Sequence, residues 1–267
     1  MAFPRAAFRA VGGATFGLLA DAGRLSRLFA AALHRAGRIV TGKERLRWRA
    51  AIAECVRGGY DSLPLVTLIL FLVGMIMALQ SAYQLEQLGA LGLVANLVAL
   101  SVSRELAPLL GAIIVAGRVG SAIAAELGTM RVEQEIDALT VMGIDPVSYL
   151  VVPRLLALMV CLPCLTIFGD VVGILGGMTV GVGLLEMGGS RYLAGTFDSL
   201  LLRDVIIGLV KSVAFASIIG LVGCYQGLET QGGAEEVGAS TTTAVVRSIV
   251  LVIGADLLVT ALFYLRG

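Results

Sequence analysis

Long apolar runs are the feature of this chain that most limits how it can fold. The run over residues 64–85 carries no charged residue and opens with a proline. At about 1.5 Å of rise per helical residue, such a run is long enough to cross about 30 Å of hydrocarbon. Four more apolar regions cover about residues 92–125, 147–185, 205–227 and 244–265. The sequence therefore predicts an all-α membrane protein with five transmembrane helices.

The composition excludes a soluble globule. Of the 267 residues, 58% are apolar and only 15% are charged, whereas soluble domains carry about 25% charged residues. Such a chain has too little polar surface to cover a globule in water. Glycine occurs 34 times, well above its average frequency of about 7%, and this enrichment is typical of membrane helices that pack closely.

The charges are distributed unevenly along the chain. Residues 1–60 hold eleven of the twenty basic residues and three of the nineteen acidic ones, mixed with apolar residues but without a run of spanning length. This pattern predicts an N-terminal region at 1–60 with an amphipathic helix in the membrane interface, followed by a five-span domain at 61–267. A partly disordered tail is the alternative for the first region. Nucleic-acid binding is disfavoured because no basic domain stands apart from the membrane part.

The basic N-terminal region also predicts the orientation of the chain. Basic segments stay on the cytoplasmic side of a membrane and are attracted to its anionic lipids. With five spans, we expect a cytoplasmic N-terminus, cytoplasmic loops over residues 126–146 and 229–243, and outer loops over residues 86–91 and 186–203. The C-terminus then lies on the outer side.

Two local patterns resemble chemical motifs, but a structural explanation is favoured for each. Residues 37–44 match a phosphate-binding P-loop except at Glu44, where a Ser or Thr hydroxyl would bind magnesium. Cys161 and Cys164 have redox-motif spacing, but they lie in an apolar span that disfavours a thiolate. His34 is the single histidine of the sequence. We therefore expect no catalytic residue, no cofactor site and no metal site in this chain.

A stripe of glycines occupies the third apolar region. Gly169, Gly173, Gly177 and Gly181 recur at every fourth position, so they lie on nearly one face of a helix. Small residues with this spacing let helix backbones approach closely. The stripe predicts a helix-packing face, which serves either contacts within one subunit or contacts between two copies.

Ionisable residues interrupt the apolar regions. Each such side chain costs at least about 2.5–3.5 kcal/mol at membrane depth, so it should pair with another or face a polar cavity. Arg104 and Glu105 are adjacent and cannot face each other on a helix, and each therefore needs a partner elsewhere. Lys211 and Asp256 are the candidate partners, and Asp170 lies beside the glycine stripe. A structural ion-pair network and a substrate path both stay open.

A short polar segment between the second and third apolar regions is the most specific feature of the sequence. Over residues 126–139, apolar residues form a ridge and carboxylates crowd the remaining positions, before Gly143 and Pro146 end the segment. An amphipathic helix that is too polar to enter the membrane is a docking element for a cytoplasmic partner. The residues that we expect to take part are Glu126, Met130, Glu133, Glu135, Asp137 and Leu139.

Several motifs together make the sequence recognisable by their order and spacing. They are SRELAP at 103–108, AGRVGSA at 116–122, the segment 126–139, YLVVPR at 149–154, VKSV at 210–213 and GADLLVTAL at 254–262. From about residue 45 to its end, the chain resembles the MlaE (YrbE) permease family. Members of this family are the membrane subunits of MCE-type lipid ABC transporters.

The resemblance implies a homodimeric permease in the bacterial inner membrane, with phospholipid bound in a cavity between the two copies. Arg104 and Glu105 match the charged pair that the family has near this cavity. A cytoplasmic ABC ATPase would bind ATP and Mg on its own chain, and its groove would hold segment 126–139 as a coupling helix. An MCE-domain protein would cover the periplasmic side. The resemblance thus implies transport that keeps outer-membrane lipids asymmetric or moves lipid between membranes, without catalysis by this chain.

One departure from the family pattern concerns the coupling segment. The family usually reads TEQIDAL where residues 133–139 of this chain read EQEIDAL. The central carboxylate is displaced by one residue, which is about 100° around a helix. Asp137 keeps its place in the pattern, while the ATPase contacts of Glu133 and Glu135 stay open.

Two other classes of function are the alternatives. A secondary transporter often has repeated halves, and residues 60–145 and 150–265 show no repeat. An intramembrane lipid-modifying enzyme needs a nucleophile and a base, and the spans lack such a set. The ABC-transporter hypothesis alone predicts that an ATPase and an MCE-domain protein copurify with the chain.

Overall fold

The computed structural model describes residues 23–32, 34–35, 37–38 and 48–266, which contain helices and no β-strand. Residues 23–32, 34–35 and 37–38 are helical, and we call them the N-terminal helical segment. The α-helices that follow are α1 (Trp48–Gly59), α2 (Leu63–Glu86), α3 (Val94–Ser101), α4 (Ala107–Val115), α5 (Ser121–Val132), α6 (Glu135–Val141), α7 (Val152–Gly183), α8 (Gly189–Ser199), α9 (Leu202–Leu228) and α10 (Ala234–Arg266).

Five stretches of the described chain are long and apolar enough to cross a membrane, and they confirm the predicted five-span fold. The predicted spans at 64–85 and 205–227 agree with α2 and α9 to within three residues at each end, and the span at 147–185 agrees equally well once the π turn Val147–Val151 before α7 is included. The five stretches are Trp48–Glu86, Leu91–Val132, Val147–Gly183, Leu202–Leu228 and Ala234–Leu265.

Three predicted connections are wrong in part, because helices continue beyond the residues that hydropathy assigns to the membrane. The predicted loop 229–243 is mostly helical, since α10 begins at Ala234, and Glu235 and Glu236 in its first turn complement the helix dipole. The predicted outer loop 186–203 contains the amphipathic helix α8. In the predicted loop 126–146, α5 continues to Val132 and α6 follows after two residues.

The second span is helical from α3 to α5, but its hydrogen-bonding pattern changes twice. The turns Val102–Leu106 and Ala116–Gly120, on either side of α4, are π-helical. Pro108 follows the first turn and has no N–H to donate to the carbonyl of Arg104, four residues earlier. This missing bond explains the wider turn, and π turns of this kind are frequent at functional sites.

Helices α2 and α7 pack with their backbones in contact. A Cβ at Gly74 of α2 would overlap the carbonyl oxygen of Gly173, and a Cβ at Gly176 of α7 would overlap that of Phe71. Only glycine allows this approach, so the glycine content of the chain has a direct role in packing here.

Helix α9 is central, and α10 is peripheral. Helix α9 packs against α5, α7 and α10, whereas α10 packs mainly on α9 and on α5. Most of the apolar side chains of α10 are exposed, among them Val250, Leu257 and Leu262. In an isolated subunit this face would contact lipid.

The connectivity places α6 at one end of the bundle and α8 at the opposite end. The N-terminal helical segment lies at the α6 end, where Arg24 pairs with Glu229 at 3.3 Å and Arg35 pairs with Asp145 at 3.4 Å.

Helix α1 packs on the first turns of α7, and its Trp48 is exposed. A role for these helices in the membrane interface stays a prediction. Residues 1–22 and 39–47, with most of the P-loop-like segment, lie outside the described residues.

Candidate functional site

A buried lysine brings together polar side chains from three parts of the bundle. The Nζ atom of Lys211 in α9 forms ion pairs with Glu105 and, at 2.8 Å, with Asp256. It also donates a hydrogen bond of 2.8 Å to the Oγ1 atom of Thr260, which itself donates to Glu105 at 3.3 Å. We call Glu105, Lys211, Asp256 and Thr260 the charge cluster.

The local structure of each element explains why these side chains meet. Asp256 and Thr260 are four residues apart on α10 and therefore lie on one face, which α10 turns toward α9. Glu105 lies in the first π turn and approaches Lys211 from the second span. The predicted partnership between Glu105 and Lys211 is thus confirmed, and Asp256 joins it.

The charge cluster has one basic side chain and two acidic ones. Lys211 is fully buried, and an ammonium group in such a place needs a counterion. Two carboxylates face it, so one negative charge is not balanced within the cluster. The side chain of Glu105 is 38% exposed, and it is the part of the cluster that a substrate could reach.

Arg104 does not join the charge cluster. Its guanidinium pairs with Asp204 at 3.6 Å, and its side chain is 44% exposed. Asp204 lies in the first turn of α9, where its carboxylate also accepts a hydrogen bond from the backbone N–H of Leu201. Asp256, the candidate partner for Arg104, instead pairs with Lys211, so this part of the expectation is wrong. Adjacent residues on the second span point to different faces.

The segment between the second and third spans consists of two helices and not one. Gln134 separates α5 from α6 with a left-handed backbone, at φ 61°. The turn directs Ile136 and Leu139 of α6 into the core, where both are buried. The predicted apolar ridge therefore faces the permease itself.

The surface that α6 presents to solvent combines carboxylates with an apolar tip. Glu133, Glu135 and Asp137 are exposed, and Asp137 accepts a hydrogen bond from Arg131 at 2.5 Å. The side chains at the end of α6 are also exposed, 89% at Val141 and 65% at Met142. The pattern suits a partner with both basic and apolar groups.

Two residues of the predicted docking segment belong to α5 and have contacts inside the permease. Glu126 forms an ion pair with Arg154 at 2.9 Å, and Arg154 also pairs with Glu54 of α1 at 3.4 Å. Met130 is partly buried against the core. Glu126 therefore ties α5 to α7 and α1, and its place in a docking surface stays a prediction.

The glycine stripe packs within one subunit. A Cβ at Gly173 would lie 2.8 Å from a methyl group of Val102, and one at Gly169 would overlap Leu70. Further along, a Cβ at Gly177 or Gly181 would lie within 2.7 Å of the ring or hydroxyl of Tyr192 in α8. Burial raises the pKa of the Tyr192 phenol to about 12, so this side chain stays neutral in its pocket.

Sequence reasoning did not identify several polar residues that the structure places in these networks. Asp204 belongs to no motif, and Thr260 appears only as part of the motif GADLLVTAL, without a role. Only the depth of Arg104 and Lys211 in their spans points to a need for partners. Arg154 was noted as part of the YLVVPR motif, but its burial and its partner Glu54 depend on how α1 folds onto α7.

Comparison with known proteins decides the family. Residues 51–262 match the sequence model of the family described as Permease MlaE. The chain belongs to the MlaE permease family. The matched range includes the charge cluster, the glycine stripe and α6.

Relatives of this MlaE permease are known in bacteria and in a plant chloroplast. A protein of Rickettsia prowazekii named as a probable ABC transporter permease is 44% identical over 206 residues, which are 77% of this chain and 80% of the relative. A similarly named protein of Synechocystis is 40% identical over 208 residues, which are 78% of this chain and 79% of the relative. The Arabidopsis thaliana protein TRIGALACTOSYLDIACYLGLYCEROL 1, chloroplastic, is 37% identical over 227 residues, 85% of this chain and 64% of the relative.

These findings place the chain among multi-pass membrane transport proteins. Its family is a permease family, and its relatives are named as permeases of ABC transporters. The family and the names of the relatives therefore describe a membrane transport permease rather than a catalytic enzyme.

Proposed function

We propose that this MlaE permease is the membrane subunit of an ATP-driven phospholipid transporter, which keeps outer-membrane lipids asymmetric or moves lipid between membranes. The observation that carries the proposal is the charge cluster, a polar site inside apolar spans that one subunit leaves open at Glu105. Two comparisons support it. The relatives are named as ABC transporter permeases, and the plant relative is named after a glycolipid.

The chemistry around Glu105 fits the head group of a phospholipid. Glu105 belongs to a cluster with one excess negative charge, and it can accept hydrogen bonds from an ammonium or hydroxyl group. The adjacent Arg104 is 44% exposed and can donate to a phosphate. An open site with one acidic and one basic side chain, surrounded by apolar helices, suits a molecule with a zwitterionic head and acyl chains.

The exposed face of α10 is where a second copy of the chain would complete the site. Helix α10 supplies Asp256 and Thr260 to the cluster and leaves its opposite apolar side chains uncovered. Two permeases that meet near α10 would enclose a cavity with a charge cluster from each copy. Such an arrangement holds a lipid between two chains that can separate or close.

We propose one partner for each end of the bundle. The exposed carboxylates and apolar tip of α6 would bind a cytoplasmic ABC ATPase, which supplies ATP and Mg. A periplasmic MCE-domain protein would bind at the α8 end. In this proposal the permease lies in the bacterial inner membrane, and its basic N-terminal region supports a cytoplasmic N-terminus with the C-terminus in the periplasm.

Copurification with α6 variants tests this assembly. An affinity-tagged wild-type permease, extracted from native membranes in mild detergent, should bring an ABC ATPase, an MCE-domain protein and phospholipid with it. Asp137→Lys should reduce ATPase recovery at least about tenfold, because it reverses a charge on the docking surface. The permease itself should elute at an unchanged position in size-exclusion chromatography once the partners are stripped.

Arg131→Gln is the matched control, because it removes the same hydrogen bond to Asp137 but keeps the carboxylate. It should retain the ATPase at close to the wild-type level. Wild-type recovery with Asp137→Lys would contradict the role of α6. A permease that purifies without an ATPase and without phospholipid would contradict the proposed function.

A further inference from the structure

A pocket between α1, the π turn Ala116–Gly120 and α5 collects charged side chains of both signs. It encloses about 190 Å³ near the α6 end of the bundle, and Val119 and Ile123 form an apolar part of its wall. Its charged lining residues are Glu54 and Arg57 of α1, Asp61 directly before α2, Arg118 of the π turn and Glu126 of α5.

Two of the three carboxylates in this pocket are already balanced by a buried arginine. Arg154 pairs with Glu126 at 2.9 Å and with Glu54 at 3.4 Å. The side chains of Arg118 and Asp61, by contrast, form no ion pair and no hydrogen bond within the described part of the chain. Both residues are exposed. One cation and one anion therefore stay free in the same pocket, and a ligand can reach both.

The second arginine of the pocket is held only loosely. Arg57 approaches Glu126 to 3.8 Å, which is longer than a hydrogen bond, and its side chain is 68% exposed. An exposed ion pair of this length contributes little to stability. Arg57 can therefore turn toward a ligand beside Arg118 at little cost.

The pocket lies at the depth of lipid head groups. Asp61 directly precedes residues 62–85, which carry no charge and form the first span. Its neighbour Tyr60 is 72% exposed, and exposed aromatic side chains are typical of the membrane–water interface. From Glu105 to Arg118 the second span rises by about 20 Å toward the α6 end. The pocket is thus separate from the charge cluster and faces the leaflet next to α6.

We propose that this pocket binds the head group of a zwitterionic phospholipid from the leaflet next to α6. Arg118 and Arg57 donate to the phosphate, because guanidinium groups form charge-assisted hydrogen bonds with phosphate oxygens. Asp61 faces the ammonium group of the same head group. An anionic phospholipid offers the phosphate but no cation for Asp61, so it binds less tightly.

The size and wall of the pocket favour a lipid over a free phosphate compound. Pockets for whole small molecules begin at about 300 Å³, so this one holds a head group and leaves the acyl chains outside. Val119 and Ile123 offer an apolar wall to the upper part of a lipid, whereas a free phosphate ion gains nothing from it.

This inference deepens the proposed function, since a phospholipid transporter needs a place where lipid meets the surrounding leaflet. Photolabelling of the purified wild-type permease in lipid nanodiscs tests it. The probe is a trace of phosphatidylethanolamine with a photoreactive diazirine at the top of one acyl chain, in a bilayer of phosphatidylglycerol. Peptide mapping should place the label within residues 57–62 and 118–126.

Competition in the wild-type permease identifies the head group. Replacement of half the phosphatidylglycerol by phosphatidylcholine should lower labelling of these peptides at least about fivefold, as expected for a tenfold preference for a zwitterionic lipid. Soluble glycerophosphoethanolamine, which has the head group without acyl chains, should leave the labelling unchanged.

Three variants give the residue-level test. Arg118→Gln should lower labelling of the pocket about tenfold, because it removes a charged donor to the phosphate. Asp61→Asn should abolish the advantage of phosphatidylcholine over phosphatidylglycerol as a competitor. Arg49→Gln is the matched control, since Arg49 is an exposed basic residue of α1 that does not line the pocket. It should label as the wild type does.

Four results would overturn the inference. They are unchanged labelling when phosphatidylcholine replaces phosphatidylglycerol, displacement of the probe by soluble glycerophosphoethanolamine, wild-type labelling of Arg118→Gln, and an equal loss in Arg49→Gln and Arg118→Gln. The competition needs no variant, so it decides even if a variant fails to fold. The proposed function fails separately, through an absence of ATP-driven lipid movement while the pocket still labels with its head-group preference.

Discussion

Single residues show how this permease carries charges inside its spans. Lys211 and Arg154 are both buried, and each is held by two carboxylates from other helices. A buried ion pair is weak evidence for stability in itself, but loss of one partner is strongly destabilising. The two basic side chains therefore fix which helices must be neighbours, Lys211 within the bundle and Arg154 near the α6 end.

Substitution of Lys211 should expose this dependence. Lys211→Met keeps most of the side-chain volume but leaves Glu105 and Asp256 facing each other without a counterion. We expect a loss of about 3 kcal/mol in the free energy of unfolding, at the lower end of the range for broken buried pairs because Glu105 is 38% exposed. Thermal unfolding of the purified permease in detergent measures it as a lower melting temperature.

The triple variant Lys211→Met, Glu105→Gln and Asp256→Asn separates charge from packing. It removes all three charges together, so most of the lost stability should return. Its melting temperature should exceed that of Lys211→Met alone. Equal melting temperatures for wild type and Lys211→Met would show that the cluster does not hold the bundle together.

At the scale of helices, close backbone packing explains the high glycine content better than flexibility does. Helices α2 and α7 meet where Gly74 faces the backbone of Gly173, and α8 fills the space beside Gly177 and Gly181 with Tyr192. The stripe is therefore an internal packing face that holds α2 and α8 against the same helix.

A pair of glycine-to-alanine variants tests this packing. Gly74→Ala should destabilise the permease by about 1–3 kcal/mol, because its Cβ would overlap a carbonyl oxygen that can move only with the whole helix. Gly238→Ala in α10 is the matched control, since a Cβ there meets nothing within 4 Å. The control should gain up to about 1 kcal/mol from helix propensity. Melting temperatures that shift equally in both variants would contradict the packing role.

The sequence predicted the spans and the buried pairing because these follow from simple energetic rules. Long apolar runs with few charges must cross the membrane as helices, which located the five spans. A charge at membrane depth must find a partner, which identified Lys211 for Glu105.

Other features depend on contacts between distant parts of the chain and could not be predicted. Helix α8 is amphipathic, and its Tyr192 packs against the glycine stripe. No local sequence pattern shows this contact. The π turn at Val102–Leu106 changes the directions of Arg104 and Glu105, so Arg104 meets Asp204 and not Asp256. The left-handed Gln134 likewise turns α6 toward the core, although Gln is not a residue that favours this backbone.

At the scale of the whole molecule, packed helices connect the α6 end of the bundle to the charge cluster within the spans. Helix α5 carries Glu126 near α6, packs against α9, and continues through the second π turn into the span that holds Glu105. A movement of α6 by a bound partner would be transmitted along this span toward the charge cluster. A conformational change in a bound ATPase would thus move the residues that contact the lipid.

Lipid transfer by the reconstituted transporter tests most directly whether the permease moves phospholipid past Glu105. The permease, assembled with its copurified ATPase and MCE-domain protein in vesicles, should move a fluorescent phospholipid in an ATP-dependent manner. Glu105→Ala should slow this transfer at least about tenfold, as expected for loss of a charge-assisted contact to the head group. Gly238→Ala should transfer lipid at the wild-type rate. Transfer that does not depend on ATP would contradict ATP-driven transport. Transfer that is unchanged in Glu105→Ala would contradict a role for the charge cluster in lipid binding.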